Sequence, residues 1–362
     1  MFYRDDWDEL KLRYERFWSG ERNDDCLISA YAPKKENYGV PPEKDEQDSY
    51  VRRMDPEVIL RNTLTFLDNA CLAGDAFAMA NMYLGASGHA GFFRGVNVKF
   101  TNSVWFLPSI TDDNLECPVF DEDAFLYKKT MEITEYLTRE SRGRYMVSVP
   151  DISGNADALA HLRGSQNLMI DFFDEPDWIK ASLEKIQAGW KTAMDRIFSM
   201  TTGCNDGGNT IGWLHTYAPG RHAQLQCDLS VMLSCDLFRE FILPDLCAQA
   251  AELDCPLYHL DGVEQIRHLD MILSIPGLKA IQWTPVAGQP SPVQFIPELQ
   301  KIQNHGVRLL LNELSVQEAM TLVDALDMSR VHFVLYLKSP EEAEGAVRMI
   351  RKACWEKARK YH

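Results

Sequence analysis

Several kinds of chemistry leave no trace in this sequence. It has no G-x-x-x-x-G-K-[ST], no G-x-S-x-G and no H-E-x-x-H, so phosphate-loop, hydrolase-elbow and zincin readings lack the residues they require. No G-x-G-x-x-G follows an early strand-like run, which removes the usual support for a dinucleotide-binding open sheet. Its nine cysteines include no C-x-x-C pair, and an odd number cannot all pair within the chain, so reduced thiols are expected. The start, MFYRDDWDEL, is acidic and lacks the basic and apolar stretches of a secretion signal. Nowhere is there an uninterrupted apolar run of about 18 residues. A soluble cytoplasmic protein with no membrane partner is therefore expected. Basic charge is also scarce: 37 Lys and Arg stand against 53 Asp and Glu, a net charge of −16. That excess repels a phosphate backbone, and no basic groove is visible, so nucleic acid is not an expected partner.

What is present is ordinary globular material. The chain has 362 residues, 46% of them hydrophobic and 25% charged, enough for one large core. Residues 1–50 combine a helix-like run, WDELKLRYERF, with a stretch rich in Pro, Gly, Lys and Glu, and read as an N-terminal arm and loop. From about residue 51 to 362, helical stretches alternate with short β-rich runs, as in one continuous α/β domain.

The second half is the more regular. Apolar runs at 256–260, 278–283, 307–311 and 331–337 are each followed by a helical segment. Ser315-Val-Gln-Glu318 and Ser339-Pro-Glu-Glu342 each place a serine three residues before a glutamate, the pattern of a capping box at a helix start. Short βα repeats require parallel strands. Less regular candidates lie at 76–83, 103–107, 145–149 and 210–215. Eight units that close on themselves cover both faces of a parallel sheet and leave no edge, so the expected fold is an α/β (β/α)8 TIM barrel with a helical N-terminal arm.

In such a barrel the chemistry sits at the C-terminal ends of the strands. In Tyr258-His259-Leu260-Asp261-Gly262, residues two apart share a strand face, so His259 and Asp261 point the same way. That pair suits metal ligation or general base catalysis; the alternative is a locally satisfied histidine and a helix-capping aspartate. The next run ends in Gln282, Trp283 and Thr284, with Gln282 placed to orient a ligand and Trp283 either at the mouth or in the core. The seventh ends in Asn312 and Glu313, the latter a candidate ligand or a solvated loop charge. Trp213, His215 and Tyr217 alternate on the fourth run and lead to Arg221, His222, Cys227 and Asp228, as a substrate wall would. Asp151 and Asn155 follow the third run around Gly154, and Tyr83 and Gly85 close the first. Met79 and Met82 suit gap-filling in the core, and Asp112, Asp113 and Glu116 a solvated loop.

Four segments together resemble the uroporphyrinogen decarboxylase superfamily, which includes cobalamin-dependent methyltransferases. They are LRGSQNLMIDFFDEP from Leu162, LFREFILPDL from Leu237, His259-Leu-Asp-Gly262 and Gln282-Trp-Thr284. The resemblance implies the same barrel. It does not imply uroporphyrinogen decarboxylation, because the stretches corresponding to that enzyme's Asp, Tyr and G-H-G motifs read MANMY from Met79, DALAH from Asp157 and VLYLK from Val334. The family's zinc methyltransferases carry H-x-C after the fifth strand and a further Cys after the last. This sequence keeps His259, has Asp261 in place of the first Cys and offers Tyr336 near the second. The resemblance thus implies zinc held by His259 and Asp261 with a group such as Glu313, His215 or Cys227. It also implies a corrinoid or folate methyl carrier, with a corrinoid protein as a partner and a small-molecule acceptor. Gln282, Asn312 and Asp228 would position the acceptor. A lyase acting on another carboxylic acid, with Arg221 as its carboxylate clamp, and a non-catalytic binder of a tetrapyrrole-like ligand, with Trp105, Trp213 and Trp283 at its mouth, are the alternatives.

Overall fold

The regular half of the sequence folds as its pattern predicts. In the computed structural model, which describes residues 3–21, 24–34, 44–284 and 286–361, the four apolar runs become strands within a residue or two of their expected ends. In chain order the strands are β1 (Leu27–Pro33), β2 (Ala70–Gly74), β3 (Met79–Ala80), β4 (Asn97–Phe100), β5 (Val104–Leu107), β6 (Met146–Val147), β7 (Gly208–Ile211), β8 (Thr216–Pro219), β9 (Gln224–Leu225), β10 (Leu257–Asp261), β11 (Ala280–Thr284), β12 (Arg308–Asn312) and β13 (Val331–Tyr336).

The main sheet runs β2-β1-β13-β12-β11-β10-β9. It is parallel from β1 to β9, and only β2 joins antiparallel at the edge. A second parallel pair, β3–β6, is continued to β7 by a bridge between Val149 and Ile211. The result is a mixed α/β fold with a central parallel sheet and many helices against it.

Three expectations change. The run at 103–107 is no part of the parallel sheet, because β5 pairs antiparallel with β4 as a separate hairpin. The run at 210–215 ends as a strand at Ile211; the chain then turns through Gly212–Leu214 and comes back antiparallel as β8. Gly212 permits that turn, since a Cβ there would lie 2.8 Å from Ser148 Oγ, whose oxygen accepts the Gly212 N–H. The first fifty residues are more than an arm, for β1 lies inside the sheet, in register with β13 from Leu27–His332 to Tyr31–Tyr336. Its seven residues are nearly all buried, so no alternation marks them as a strand in the sequence.

The helices have local causes. Ser315 caps the helix Val316–Ala325 by accepting the Glu318 N–H at 3.2 Å, and Glu318 returns the contact to the Ser315 N–H at 2.8 Å. Loss of that hydroxyl strands a helix-end donor. Ser315→Ala is accordingly expected to lower stability by about 1 kcal/mol, read as a shift in the urea midpoint without a change in slope. The long helix Pro340–Tyr361 starts with proline at its first position, where no N–H is needed, and Ser339 accepts from the Glu342 N–H.

Alternation on the strands separates two packing layers. Tyr258, Leu260, Ile281, Trp283, Leu309, Leu311, Phe333 and Leu335 face the helices. Leu257, Ala280, Leu310 and Val334 face inward, and there they meet the N-terminal helix Trp7–Ser19 through Trp7, Leu10, Tyr14, Phe17 and Trp18. Trp18 donates to the Tyr217 carbonyl at 2.6 Å, and Arg308, at the start of β12, donates to the Phe17 carbonyl at 2.8 Å. This helix seals the inner face where the strands begin. The polar inward positions at their C-terminal ends are left for chemistry.

Candidate functional site

On β10 the inward positions are Leu257, His259 and Asp261, and the register pairs His259 with Gln282 and Asp261 with Thr284 of β11. His259 is buried, and its Nδ1 donates to Gln282 Oε1. Gln282 is held in turn, its amide nitrogen donating to Asn312 Oδ1 at 2.7 Å and Thr284 Oγ1 at 2.8 Å. With its oxygen aimed at the imidazole, Gln282 fixes the proton on Nδ1 and leaves Nε2 as the nitrogen able to take a proton or hold a cation. Trp213 sets the edge of its ring against His259, with centroids 5.0 Å apart at 84°, and its indole N–H is anchored on Gln224 Oε1 at 2.7 Å.

The third member follows β9. Asp228 opens the turn that follows it, and Asp228, His259 and Asp261 each offer a ligand atom, all within 4.8 Å of one another. Asp157 fixes the turn, its two oxygens accepting the Asp228 N–H at 3.0 Å and the Leu229 N–H at 2.8 Å. One Asp228 oxygen accepts from Gln226 at 3.3 Å; the other is buried and has no hydrogen-bond partner among the described residues. Burial, and then repulsion from Asp261, push the Asp228 carboxyl up, while His259 partly offsets them. Burial followed by the charge of Asp228 pushes Asp157 well up, and burial first of all brings Asp151 to about 7. Carboxyls gathered this way, with one oxygen unsatisfied, suit a divalent cation.

The expected residues therefore divide. His259, Asp261, Gln282, Asn312, Trp213, Asp228 and Asp151 belong to one connected network; Gln224 ties Asp151 to Trp213 and, through Gln226, to Asp228. Trp283 does not join them. It faces the helices, is fully buried and packs on Phe295 with centroids 5.4 Å apart, because it alternates with the inward Gln282. Tyr217 is also displaced: the reversal at Gly212–Leu214 sends it to the sealed end, where it packs against Trp7 and Tyr14. His215 packs tilted against Tyr31, with ring centroids 4.2 Å apart, and meets Tyr336 at 5.8 Å, beside the network and not in the carboxylate group. Burial holds its imidazole down to about 4, so it is neutral at pH 7. Tyr336 is exposed at the end of β13, and Glu313 is exposed beyond β12 with φ at 59°. Among the described residues it is thus Asp228, and not Glu313, that stands with His259 and Asp261 in a group able to hold a cation. Cys227 likewise is buried outside that group, and His222 is a core residue bonded to Thr216 and the Cys255 carbonyl.

Asp157, Gln224 and Gln226 were not legible as site residues from motifs alone. A signal for two of them existed: Gln224, Gln226 and Asp228 are polar at every second position, the spacing of one strand face. Asn155 lies in a separate buried hydrogen-bond cluster. It is buried, donates to Gln187 and Asp245, and accepts from Gln249. Burial pushes the Asp245 carboxyl up to about 7, with Asn155 partly offsetting it. The folded chain keeps this proton at pH values where the unfolded chain, near 4, has released it. The stability it contributes is full below about pH 4 and is lost as pH rises toward about 7. Asp151 acts with the same sign. Asp245→Asn is expected to reduce that decline, gaining on the order of 2–4 kcal/mol over the parent above neutral pH; urea melts across a pH series test it, and parallel pH profiles would contradict it.

Scanned against protein families, the chain matches none, and no curated protein is similar to it in sequence. In structure it is similar to a methyltransferase from Methanosarcina mazei, with a TM-score of 0.59 over 96% of this chain and 98% of that one, at 11% sequence identity. At that identity the likeness concerns the fold, and it extends along nearly the whole of both chains.

Proposed function

We propose that this protein is a methyltransferase related to the uroporphyrinogen decarboxylase superfamily, in which the two parallel runs of strands are arcs of one (β/α)8 barrel. It would act at the strand ends, moving a methyl group between a corrinoid or folate carrier, the former presented by a corrinoid protein, and a small acceptor. The observation that carries this reading is the convergence of Asp228, His259 and Asp261 with one buried Asp228 oxygen unsatisfied. The likeness in fold to a methyltransferase supports it.

The donor set fits a zinc ion held by one imidazole nitrogen and two carboxylates, leaving room for an exchangeable ligand. When bound, zinc would supply Lewis acidity, lowering the pKa of an acceptor thiol or hydroxyl. The chain's own residues do the rest. Gln282 and Asn312 keep His259 in one tautomer, Asp157 holds the Asp228 turn, and Trp213 shields the imidazole from water.

The alternatives have less support. Arg221, the clamp a decarboxylating lyase would use, is paired with Asp195 and lies over the Phe198 ring. A tetrapyrrole binder needs Trp283 and Trp105 at the mouth, but Trp283 is in the core and Trp105 is bonded to Thr101 on the hairpin. The test is methyl transfer from methylcobalamin or a methylated folate to a thiol by the zinc-loaded protein. Transfer that needs both zinc and His259 supports the reading; zinc-loaded protein inert with both donors overturns it.

A further inference from the structure

We propose that Cys26, Cys354 and Asp25 form a second cation site, for a soft divalent ion such as zinc, that clasps the start of β1 to the C-terminal helix. Cys26 directly precedes β1, and Cys354 lies on the helix Pro340–Tyr361. Both are buried, 3% and 2% exposed, and both are free thiols. Their sulfurs are 3.8 Å apart, and each offers a ligand atom within 4.8 Å of the other and of an Asp25 oxygen. Two thiolates at about 2.3 Å from a tetrahedral zinc stand about 3.8 Å from each other. A disulfide would need the sulfurs at about 2.05 Å. The pair is thus spaced for an ion between its sulfurs and too wide for a bond.

The surroundings are those of a ligating carboxylate. One Asp25 oxygen accepts the Cys26 N–H at 2.9 Å, and the other is held by Arg13 at 2.8 Å and by Arg351 at 3.7 Å. Both guanidiniums also engage the buried Asp75, at 2.7 and 3.1 Å. Among the described residues Arg13 and Arg351 balance Asp25 and Asp75, so two thiolates would offset a doubly charged cation. A cavity of about 140 Å³ lined by Arg13, Asp25, Cys26 and Ser329 gives an entry path and space for a water as fourth ligand. Binding exchanges two S–H bonds for two sulfur–metal bonds and releases two protons to solvent, with no change of oxidation state.

The site lies at the start of β1, away from the His259 group, and contains sulfur, which that group lacks. Cobalt(II) added to the reduced full-length protein is therefore the probe: thiolate-to-cobalt charge-transfer absorption reports this site and not the other. One equivalent is expected to develop that band and to protect two cysteines from alkylation. His259→Ala is expected to keep the band; Cys354→Ser is expected to lose it and to weaken zinc binding here by about 100-fold. If that variant does not fold, the parent protein decides alone. Absence of the band in the reduced parent, its survival in Cys354→Ser, or recovery of the two cysteines as a disulfide would each overturn the proposal.

Discussion

His259→Ala is expected to weaken divalent-ion binding at the strand ends by about 100-fold or more and to abolish the proposed methyl transfer. The imidazole is the one nitrogen donor of a group otherwise made of carboxylates, and its orientation is maintained by Gln282, Asn312 and Thr284. Its removal leaves Asp228 and Asp261 facing each other without the ring that partly offsets their repulsion at Asp228. Gln282→Leu separates ligation from positioning. It retains all three ligands but frees the ring, so a loss of about 10-fold in affinity is expected. Zinc titration with the parent and both variants gives the comparison. Equal affinity in His259→Ala and the parent would remove His259 from the site and leave the buried contact with Gln282 as its whole role.

Trp283→Ala should show the opposite pattern, a large loss of stability with the site's affinity intact. The ring is 1% exposed and packed on Phe295, so truncation opens a cavity the size of an indole between sheet and helices. A loss of about 3–5 kcal/mol is expected from the transfer and cavity terms together. Because the neighbouring Gln282 points the other way, zinc affinity measured well below the melting temperature should stay within about twofold. A stable Trp283→Ala protein with weakened zinc binding would mean that β11 presents the opposite face inward. These two substitutions, 24 positions apart in sequence and on adjacent strands, thus test the same alternation from its two sides.

The regular βα repeat after residue 250 was readable because its causes are local. Apolar runs of strand length, serine caps and Pro340 at a helix start each act over a few residues, and β10 to β13 formed where those signals placed them. The pairing of His259 with Asp261 on one face followed from the two-residue period of a strand. The early half was less legible. β1 is buried almost throughout and carries no alternation, β3 and β6 are two residues long, and β5 has strand chemistry but joins a hairpin.

The sequence alone determined the α/β class, the strand ends that carry polar groups, and the His259–Asp261 pair, since these depend on period and capping within short windows. Tertiary structure alone decided that Asp228, and not Glu313, completes the group, that Asp157 and Gln226 support it, that Tyr217 belongs to the sealed end, and that Cys26 meets Cys354 across 328 positions. Those contacts depend on which strand lies beside which and where the chain reverses. Such choices are made by the burial of whole faces against one another, a sum over distant residues that no local window contains.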